Sequence, residues 1–325
     1  MHKILVLKEA HEHNNRKLQE AISGDYMLEF SRRRAEDYRE KLKEAEVVIG
    51  EPTVEEVKEA SALKWIQMTW AGTDIYTKDE EFPKDIMLTN MSGAFGETIS
   101  EYVIGSILSL YRNFPAYYRN QSEKVWRDVG SEKTLFGKKV LILGAGDIGT
   151  CIASRLRPFG CRNIGVRRTV REYESCFDEM YTLSEAEQLL EDADIVIGCL
   201  PDTNETAGFL NKERLLKMKR DTVLVNVGRG SLIVTKDLVE VLEMGHLYGV
   251  ALDVVKPEPL PKKSRLWDME NVIITPHISG IGFGHDVRTE DKIYDIISEN
   301  IRRYIQREQL LNVVDFTSGY RKSSP

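Results

Sequence analysis

VLILGAGDIG, the segment Val140 to Gly149, determines the architecture that we predict for this chain. Its four apolar residues have the length of a buried strand and run directly into the pattern Gly-x-Gly-x-x-Gly. A helical repeat of apolar residues follows at Ile152, Ala153 and Leu156. In such a turn the first glycine permits a sharp bend, the second lets a pyrophosphate approach the backbone, and the third lets helix and strand pack closely. Because strand and helix are both present, the segment favours a dinucleotide site over a glycine-rich turn that binds nothing.

Length and composition limit the possible classes of protein. The 325 residues are enough for about two domains, each with its own core. The net charge of −7 argues against a general nucleic-acid or anionic-membrane binder. No run approaches the roughly 20 apolar residues that span a bilayer, and the apolar start Ile4–Leu7 is too short for a signal peptide. We therefore expect a cytoplasmic protein with no nucleic-acid or membrane partner.

The four cysteines, Cys151, Cys161, Cys176 and Cys199, do not predict a metal site. They form no Cys-x-x-Cys pair, and no histidine stands at metal-ligand spacing from them. Buried thiols in a reducing cytoplasm are the favoured interpretation, and a cysteine nucleophile is the alternative.

Short apolar runs alternate with helix-prone segments, which predicts βαβ units and parallel sheets. In the first hundred residues the predicted strands are Ile4–Leu7, Val47–Ile49, Trp65–Thr69 and Ile86–Thr89, and the predicted helices are Asn14–Ile22, Ala35–Leu42 and Thr53–Ala60. Beyond the glycine segment the predicted strands are Arg162–Val166, Asp194–Leu200, Thr222–Val227, Leu247–Leu252 and Val272–Thr275, and the predicted helices are Ser184–Leu190, Lys212–Met218 and Lys236–Leu242. A long apolar helix, Glu97–Asn113, is closed by Pro115, and a last helix, Asp286–Gln306, returns the chain toward the first domain. The prediction is an α/β chain with two doubly wound parallel-sheet domains.

Two glycine-containing loops follow predicted strands in the first domain. They are residues 70–74, WAGTD, and residues 90–96, NMSGAFG. Such loops can present backbone N–H groups to an anion, or they can be tight turns between strand and helix. The residues alone leave both interpretations open.

The segment Arg167-Arg168-Thr169 bears on which dinucleotide binds. An Asp or Glu that holds the adenosine ribose stands about 20 residues beyond the first glycine in NAD sites. Here arginine occupies that place, and a second arginine follows. Guanidinium groups can bind a ribose 2′-phosphate, which a carboxylate would repel, so the sequence favours NADP over NAD. The alternative is a pair of solvated arginines, with Glu172 or Glu174 holding the ribose.

Three polar side chains follow successive strands of the second domain. Arg229, Glu258 and His277 come after the predicted strands Thr222–Val227, Leu247–Leu252 and Val272–Thr275. The carboxyl ends of neighbouring parallel strands open into one crevice, so these side chains are expected to converge. Hydride transfer to a ketone requires a proton donor, and histidine supplies one near neutral pH. An arginine fork can grip a substrate carboxylate and polarise its carbonyl.

These segments resemble the D-isomer-specific 2-hydroxyacid dehydrogenases, and more closely their glyoxylate/hydroxypyruvate reductase-type branch. The resemblance covers most of the chain and is strongest from Gly144 to Gly280. The matching segments, in the order found in the family, are Leu143–Gly149, Cys199-Leu200-Pro201 with Thr206, Asn226–Ser231, Ala251–Pro261 and Thr275–Gly280.

The resemblance assigns roles and domains. It implies that Arg229 orients the substrate, that Glu258 pairs with His277, and that His277 is the acid-base residue. The loop Ala71-Gly72-Thr73 would bind the substrate carboxylate through backbone N–H groups, and Asp253 would hold the nicotinamide carboxamide. We expect a flavodoxin-like substrate domain (1–96 and 285–325) into which a dinucleotide-binding Rossmann domain (97–284) is inserted. The expected cofactor contacts are Gly144, Gly146, Asp147, Ile148, Gly149, Arg167, Arg168, Thr169, Leu200, Pro201, Thr206, Val227, Gly228, Asp253, Ser279 and Gly280.

The chain departs from the family pattern at two positions. Glu101-Tyr102 stands where many members have Glu-His, a variant similar to the reductase-type branch. Gly228 replaces a more usual small hydroxyl residue, which barely affects the mechanism. By contrast, Glu258 is glutamine in the formate-oxidising branch, whose reaction releases no hydroxyl proton. Retention of Glu258 therefore fits keto-acid chemistry.

The resulting hypothesis is an NADPH-dependent reductase of small 2-keto acids, such as glyoxylate or hydroxypyruvate, that yields D-2-hydroxy acids. The alternative is a dinucleotide-sensing protein like the transcriptional corepressors that resemble this family. The resemblance also implies a homodimer, with the Glu97–Asn113 helix and the loop around Trp126 at its interface. Four aromatic residues are candidates either for the substrate pocket or for the core: Trp70, Tyr102, Trp267 and Phe283.

Overall fold

The computed structural model describes residues 1–8, 11–33, 35–130, 132–169, 175–282, 286–317 and 319–321. The chain forms two compact units: unit 1 contains Met1–Phe95 and Gly282–Pro325, and unit 2 contains Gly96–Ile281. Unit 2 is thus inserted into the chain of unit 1. Glu172, Glu174 and Phe283, named above as candidates, lie outside the described residues.

The elements are numbered in chain order. The strands are β1 (His2–Val6), β2 (Tyr26–Phe30), β3 (Ala45–Ile49), β4 (Trp65–Gln67), β5 (Met87–Thr89), β6 (Lys139–Leu143), β7 (Arg162–Val166), β8 (Glu179–Tyr181), β9 (Ile195–Gly198), β10 (Val223–Asn226), β11 (Gly249–Leu252), β12 (Val272–Ile274), β13 (Val314–Asp315) and β14 (Tyr320–Arg321). The α-helices are α1 (Glu12–Ala21), α2 (Tyr38–Glu44), α3 (Val54–Glu59), α4 (Asp74–Thr77), α5 (Gly96–Tyr111), α6 (Phe114–Ser122), α7 (Asp147–Leu156), α8 (Ala186–Leu189), α9 (Lys212–Lys217), α10 (Thr235–Glu243) and α11 (Val287–Gln306). Short 3₁₀ helices lie at Arg157–Phe159, Leu183–Glu185, Leu190–Asp192, Gly230–Leu232 and Arg265–Asp268.

Unit 1 is built on a five-stranded parallel sheet with the order β2-β1-β3-β4-β5. The side chains of β1 alternate between the two faces. Ile4 and Val6 pack with helices α1 and α11, whereas Leu5 packs with α2 and α3. Strand β3 buries all five of its residues because both of its faces are covered. This strand order is the flavodoxin-like form of a doubly wound fold.

Helix α11 returns the chain to unit 1, as predicted for Asp286–Gln306. The Asp286 side chain caps its start by accepting the Thr289 N–H at 2.8 Å. Ile293, Ile297 and Ile301 recur on one face and are fully buried in the cluster that contains α1. The sequence periodicity at this helix is therefore confirmed.

Unit 2 is built on a seven-stranded parallel sheet with the order β12-β11-β10-β9-β6-β7-β8. The chain enters at β6, runs outward through β7 and β8, and then places β9 on the other side of β6. The strand order therefore reverses between β6 and β9, and open α/β sheets bind ligands beyond the carboxyl ends of the strands at such a point. Residues 140–143 of β6 are fully buried there. The predicted Rossmann architecture is confirmed.

The sequence does not predict β2 and β8, each of which is one of the two edge strands of its sheet. All residues of both strands are only half-buried. Glu29 interrupts the apolar residues of β2, and the three residues of β8 begin with Glu179, so neither strand has the continuous apolar run that marks β6. Near the carboxyl end of the described residues, β14 pairs antiparallel with β13.

Pro115 follows the end of a helix, as predicted, and it also begins a further helix that the sequence does not predict. Helix α5 ends at Tyr111, and Pro115 lies in the first turn of α6. Proline is accepted there because the first turn of a helix has no intrahelical partner for its N–H groups. Neither α5 nor any other helix in the described ranges combines the length and apolarity needed to cross a membrane.

Candidate active site

The glycine loop between β6 and α7 has the backbone geometry that its sequence demands. Gly144 has a φ of +113°, which residues with a side chain rarely adopt. The N–H groups of Gly144 and Ala145 both donate to the Val166 carbonyl at the end of β7, at 2.9 and 2.7 Å. A Cβ on Gly149 would lie 2.2 Å from the Gly144 carbonyl oxygen, so only glycine allows α7 to approach β6 this closely.

The second glycine of the motif leaves open space where a phosphate fits. Gly146 is exposed, and a Cβ built on it would meet no atom within 4 Å. It precedes the ten-residue helix α7, whose first N–H groups point out of the helix toward this space. An open approach to backbone N–H groups at a helix N-terminus fits the pyrophosphate of a dinucleotide.

Two arginines lie directly beside this loop. Val166, which holds the glycine loop, is followed by Arg167 and Arg168. Arg167 is half-buried, while Arg168 and Thr169 are exposed. The end of β7 therefore places positive charge next to the glycine loop, at the position that holds a carboxylate in NAD sites.

The loop after β9 is closed on itself by Thr206. The N–H of Cys199 donates to the Leu143 carbonyl at 2.7 Å, which joins this loop to the glycine loop. The buried Thr206 hydroxyl donates to the Pro201 carbonyl and accepts the Thr203 N–H at 2.9 Å. Thr206 thus fixes the shape of residues 201–206.

The cysteines are free thiols; Cys161 and Cys176 are buried as expected, whereas Cys151 and Cys199 are only half-buried. Burial raises the pKa of Cys161 to about 11 and that of Cys199 to about 12. A nucleophilic cysteine requires a thiolate, so these two environments work against the alternative of a cysteine nucleophile. Among the described residues, no group of three or more His, Cys, Asp or Glu side chains is placed to hold a metal ion.

Arg229 is held between two neighbouring loops by its glycine neighbours. A Cβ on Gly228 would lie 2.4 Å from the Leu200 carbonyl oxygen, beyond β9. A Cβ on Gly230 would lie 2.0 Å from the Val255 carbonyl oxygen, beyond β11. The unusual glycine at position 228 therefore has a local cause, which is the close approach of the backbone at Leu200.

Asn226 shapes the turn that carries Arg229, a role that no motif in the sequence predicts. Its fully buried side chain accepts the Gly228 N–H at 3.2 Å and donates to the Arg229 carbonyl at 3.0 Å. These two hydrogen bonds close both ends of the turn in which Arg229 lies. A signal was present in the sequence, because Asn at the end of a strand before Gly-x-Gly is a common turn former.

Glu258 and His277 form a hydrogen-bonded pair. The Glu258 Oε2 lies 3.0 Å from the His277 Nδ1, and Oε1 accepts the Val255 N–H at 3.1 Å. Their side chains are 40% and 50% exposed, respectively. Because a carboxylate only accepts hydrogen bonds, Nδ1 carries a proton, and Nε2 is left to exchange one with a substrate.

Asp253 anchors the loop that carries His277. It is 2% exposed, and its Oδ1 accepts the Thr275 hydroxyl at 2.7 Å and the Ile278 N–H at 2.8 Å. Its Oδ2 accepts the Ser279 N–H at 2.9 Å. His277 itself has a φ of 57°, an uncommon conformation for a residue other than glycine. The sequence offers no signal for this anchoring, since Asp253 and the loop belong to different strands.

The unit 2 candidates thus follow β6, β7, β9, β10, β11 and β12, all at the carboxyl end of one parallel sheet. Val227 and Ser279 are buried, and Gly280 is exposed. The aromatic candidates Trp70 and Trp267 are about half exposed, at 45% and 52%, so neither belongs to the core.

The loop Ala71-Gly72-Thr73 belongs to unit 1 and is held by side chains around it. Asn90 donates to the Ala71 carbonyl at 2.7 Å, and the Thr73 hydroxyl donates to the Gly319 carbonyl at 2.8 Å. Within the described part of the chain, the backbone N–H groups of residues 71–73 donate to no other group. Three successive N–H groups of this kind fit an anion such as a carboxylate.

Comparison with known proteins places the chain in a family. The sequence profile of the D-isomer specific 2-hydroxyacid dehydrogenase, NAD binding domain, matches residues 104–279. A D-isomer specific 2-hydroxyacid dehydrogenase family protein from Aeromonas salmonicida is 34% identical, with a TM-score of 0.86 over 97% of this chain and 99% of that chain.

Two glyoxylate/hydroxypyruvate reductases are also similar to this chain. The structure of an NADPH-dependent glyoxylate/hydroxypyruvate reductase from Sinorhizobium meliloti, in complex with NADP and sulfate, is 27% identical, with a TM-score of 0.83 over 98% of this chain and 100% of that chain. Glyoxylate/hydroxypyruvate reductase A of Photorhabdus laumondii is 28% identical over 84% of this chain and 87% of its own. Sequence match, strand order and glycine loop agree: the chain belongs to the D-isomer-specific 2-hydroxyacid dehydrogenase family and is an oxidoreductase that uses a nicotinamide dinucleotide to interconvert 2-keto and 2-hydroxy acids.

Proposed function

We propose that this enzyme reduces small 2-keto acids to D-2-hydroxy acids with NADPH, and that His277 is its acid-base residue. The observation that carries the proposal is the Glu258–His277 pair, with 3.0 Å between Oε2 and Nδ1, beyond the same sheet that carries the glycine loop. A bound NADPH supplies the hydride to the carbonyl carbon. The protein must supply the proton for the carbonyl oxygen.

His277 is suited to that proton transfer. As negative charge develops on the carbonyl oxygen, the protonated imidazole donates the proton of Nε2 to it. Glu258 accepts from Nδ1 throughout, so it fixes the ring and stabilises the charged imidazole between turnovers. In the oxidation of a 2-hydroxy acid, Nε2 takes the hydroxyl proton back.

Arg229 and the unit 1 loop are proposed to bind the substrate. The guanidinium of Arg229 can form paired hydrogen bonds to the substrate carboxylate and polarise the adjacent carbonyl. In unit 1, the N–H groups of Ala71, Gly72 and Thr73 are proposed to bind a substrate carboxylate. Both elements recognise the carboxylate common to all 2-keto acids.

The preference for NADPH over NADH rests on Arg167 and Arg168. Their charge lies beside the glycine loop, where it can pair with a ribose 2′-phosphate. The NADP bound to the Sinorhizobium meliloti relative supports the same choice. Gly144, Gly146 and Gly149 are proposed to hold the pyrophosphate, together with Asp147 and Ile148 at the start of α7. The other proposed cofactor contacts are Leu200, Pro201, Thr206, Val227, Gly228, Ser279 and Gly280, with Thr169 beside the arginines and Asp253 at the nicotinamide carboxamide.

A panel of 2-keto acids tests the proposed reaction. Glyoxylate, hydroxypyruvate and longer 2-keto acids are offered with NADPH or NADH, and nucleotide oxidation is followed by absorbance. We expect turnover with the small members and a higher kcat/KM for NADPH than for NADH. No turnover with any member would refute the reaction and favour the dinucleotide-sensing alternative, while a clear NADH preference would refute the role of the arginines.

The same proposal includes a homodimer formed through the segment after α5. Trp126 is fully exposed, and Tyr118 is 65% exposed. A cavity of about 660 Å³ lies beside Trp126 and is lined by Tyr117, Gln121 and Val125. Large exposed aromatic side chains next to a cavity are typical of an interface. Analytical ultracentrifugation is expected to give a dimer for the native chain and a weaker one for Trp126→Ala; a native monomer would refute the interface.

A further inference from the structure

Tyr102 reaches the histidine loop through a hydrogen bond to Thr275. Tyr102 lies on α5, and its hydroxyl oxygen is 2.7 Å from the Thr275 Oγ1. The side chain is half-buried, and no part of the mechanism described above uses it. Both residues belong to unit 2, as do Asp253 and His277.

The direction of the hydrogen bonds follows from counting protons. Thr275 donates its single hydroxyl proton to the Asp253 carboxylate at 2.7 Å, because an ionised carboxylate can only accept. The Thr275 oxygen is then an acceptor for the proton of Tyr102. Burial raises the pKa of Tyr102, so the phenol keeps this proton at physiological pH. The chain of donors therefore runs from Tyr102 to Thr275 to Asp253.

This series of hydrogen bonds ends at the Asp253 carboxylate, which fixes the backbone around His277. Asp253 accepts N–H groups from Ile278 and Ser279, the two residues that follow His277. The His277 N–H donates to the Asp253 carbonyl at 2.9 Å. A left-handed residue such as His277 persists only where its surroundings hold it, and here the holding group is Asp253.

We infer that Tyr102 is a positioning residue for the acid-base histidine. Its hydroxyl orients Thr275, Thr275 orients the Asp253 carboxylate, and the carboxylate holds His277 where Nε2 meets the substrate. Tyr102 touches neither the imidazole nor Glu258 through any of these bonds. The inference rests on the proposed role of His277 in proton transfer.

The test is Tyr102→Phe, which removes only the hydroxyl. Because one neutral hydrogen bond is lost, we expect kcat for the 2-keto acid to fall about three- to tenfold, with KM for substrate and NADPH within about twofold of normal. The matched control is Tyr248→Phe, which removes a hydroxyl that donates to Asn113 at 3.1 Å elsewhere in unit 2. The control is expected to keep its kcat.

Two further variants separate positioning from general support of the fold. Thr275→Val removes the hydroxyl that links Tyr102 to Asp253. In that background, adding Tyr102→Phe is expected to change kcat less than about twofold. In a His277→Ala background, Tyr102→Phe is expected to have no further effect on the residual rate. A full additional loss in either background, or an unchanged kcat for Tyr102→Phe alone, would overturn the inference. Near-normal turnover by His277→Ala alone would instead refute the proposed function.

Discussion

The glycine loop, Gly144–Gly149, and the histidine loop, Thr275–Ser279, follow strands of the same parallel sheet but are stabilised in opposite ways. The glycine loop depends on side chains that are missing, because a Cβ on Gly149 would lie 2.2 Å from the Gly144 oxygen. The histidine loop depends on a side chain that is present, the buried Asp253, whose two carboxylate oxygens accept hydrogen bonds from the loop. A loop determined by backbone sterics tolerates no larger residue, whereas a loop held by a carboxylate tolerates no loss of an acceptor.

Among the variants that remove the support of one of these two loops, the largest effect is expected from Asp253→Asn, which breaks the histidine loop. An amide can present only one oxygen, so its NH₂ group would face a backbone N–H donor or leave it unpaired. We expect a loss of about 1–3 kcal/mol in the free energy of unfolding, and a fall in kcat of up to about 10²-fold from the displaced imidazole.

The measurements for Asp253→Asn are chemical denaturation and steady-state kinetics. The matched control is Asp79→Asn, which changes a carboxylate in unit 1 that accepts the Glu81 N–H at 2.8 Å. If both variants keep the normal kcat, Asp253 does not hold the catalytic histidine in place.

Gly149→Ala breaks the glycine loop. The added methyl must displace backbone rather than a flexible side chain, so we expect a destabilisation of about 1–3 kcal/mol and at least a tenfold rise in KM for NADPH. Gly105→Ala is the control, because Gly105 also lies in a helix but has open space around it. That control should gain up to about 1 kcal/mol of stability. Equal effects at the two glycines would contradict the steric account.

Arg167→Ala and Arg168→Ala sharpen the comparison by asking what the glycine loop binds. Loss of a charge-assisted hydrogen bond to a 2′-phosphate is expected to raise KM for NADPH about tenfold and to leave KM for NADH nearly unchanged. Arg162→Ala, at the other end of β7, is the control. An equal rise in KM for NADPH and for NADH would show that the arginines do not recognise the 2′-phosphate.

The smallest effect concerns Cys199, which lies behind the glycine loop. Burial raises its pKa to about 12, so the thiol keeps its proton at pH 8. We expect Cys199 to resist alkylation in the native protein, and its reactivity to rise with pH only well above the range of an ordinary thiol. Peptide mapping after iodoacetamide treatment measures this. Rapid native labelling at pH 8 would contradict the burial of this thiol.

The same contrast explains which features are predictable from sequence. The central strands and helix α11 could be predicted because the apolar residues that each one buries form a continuous run or recur at a regular spacing in the sequence. The half-buried edge strands β2 and β8 lack such a pattern. The glycine loop could be predicted because its six residues are contiguous and each glycine meets a local steric requirement.

The histidine loop could be predicted only in part. Glu258 and His277 could be paired by resemblance, and the structure brings their side chains to 3.0 Å. The anchoring by Asp253 and the contact from Tyr102 could not be predicted, because they join residues of different strands and helices. Hydrogen bonds between distant segments leave no periodic trace in a sequence.

The most direct test of the central claim is the kcat of His277→Ala in the NADPH-linked reduction of the best 2-keto acid of the panel. Without the proton donor, we predict a fall of at least about 10²-fold, with little change in KM for NADPH. Turnover within a few-fold of the native enzyme would show that His277 does not protonate the substrate oxygen, and would contradict the account.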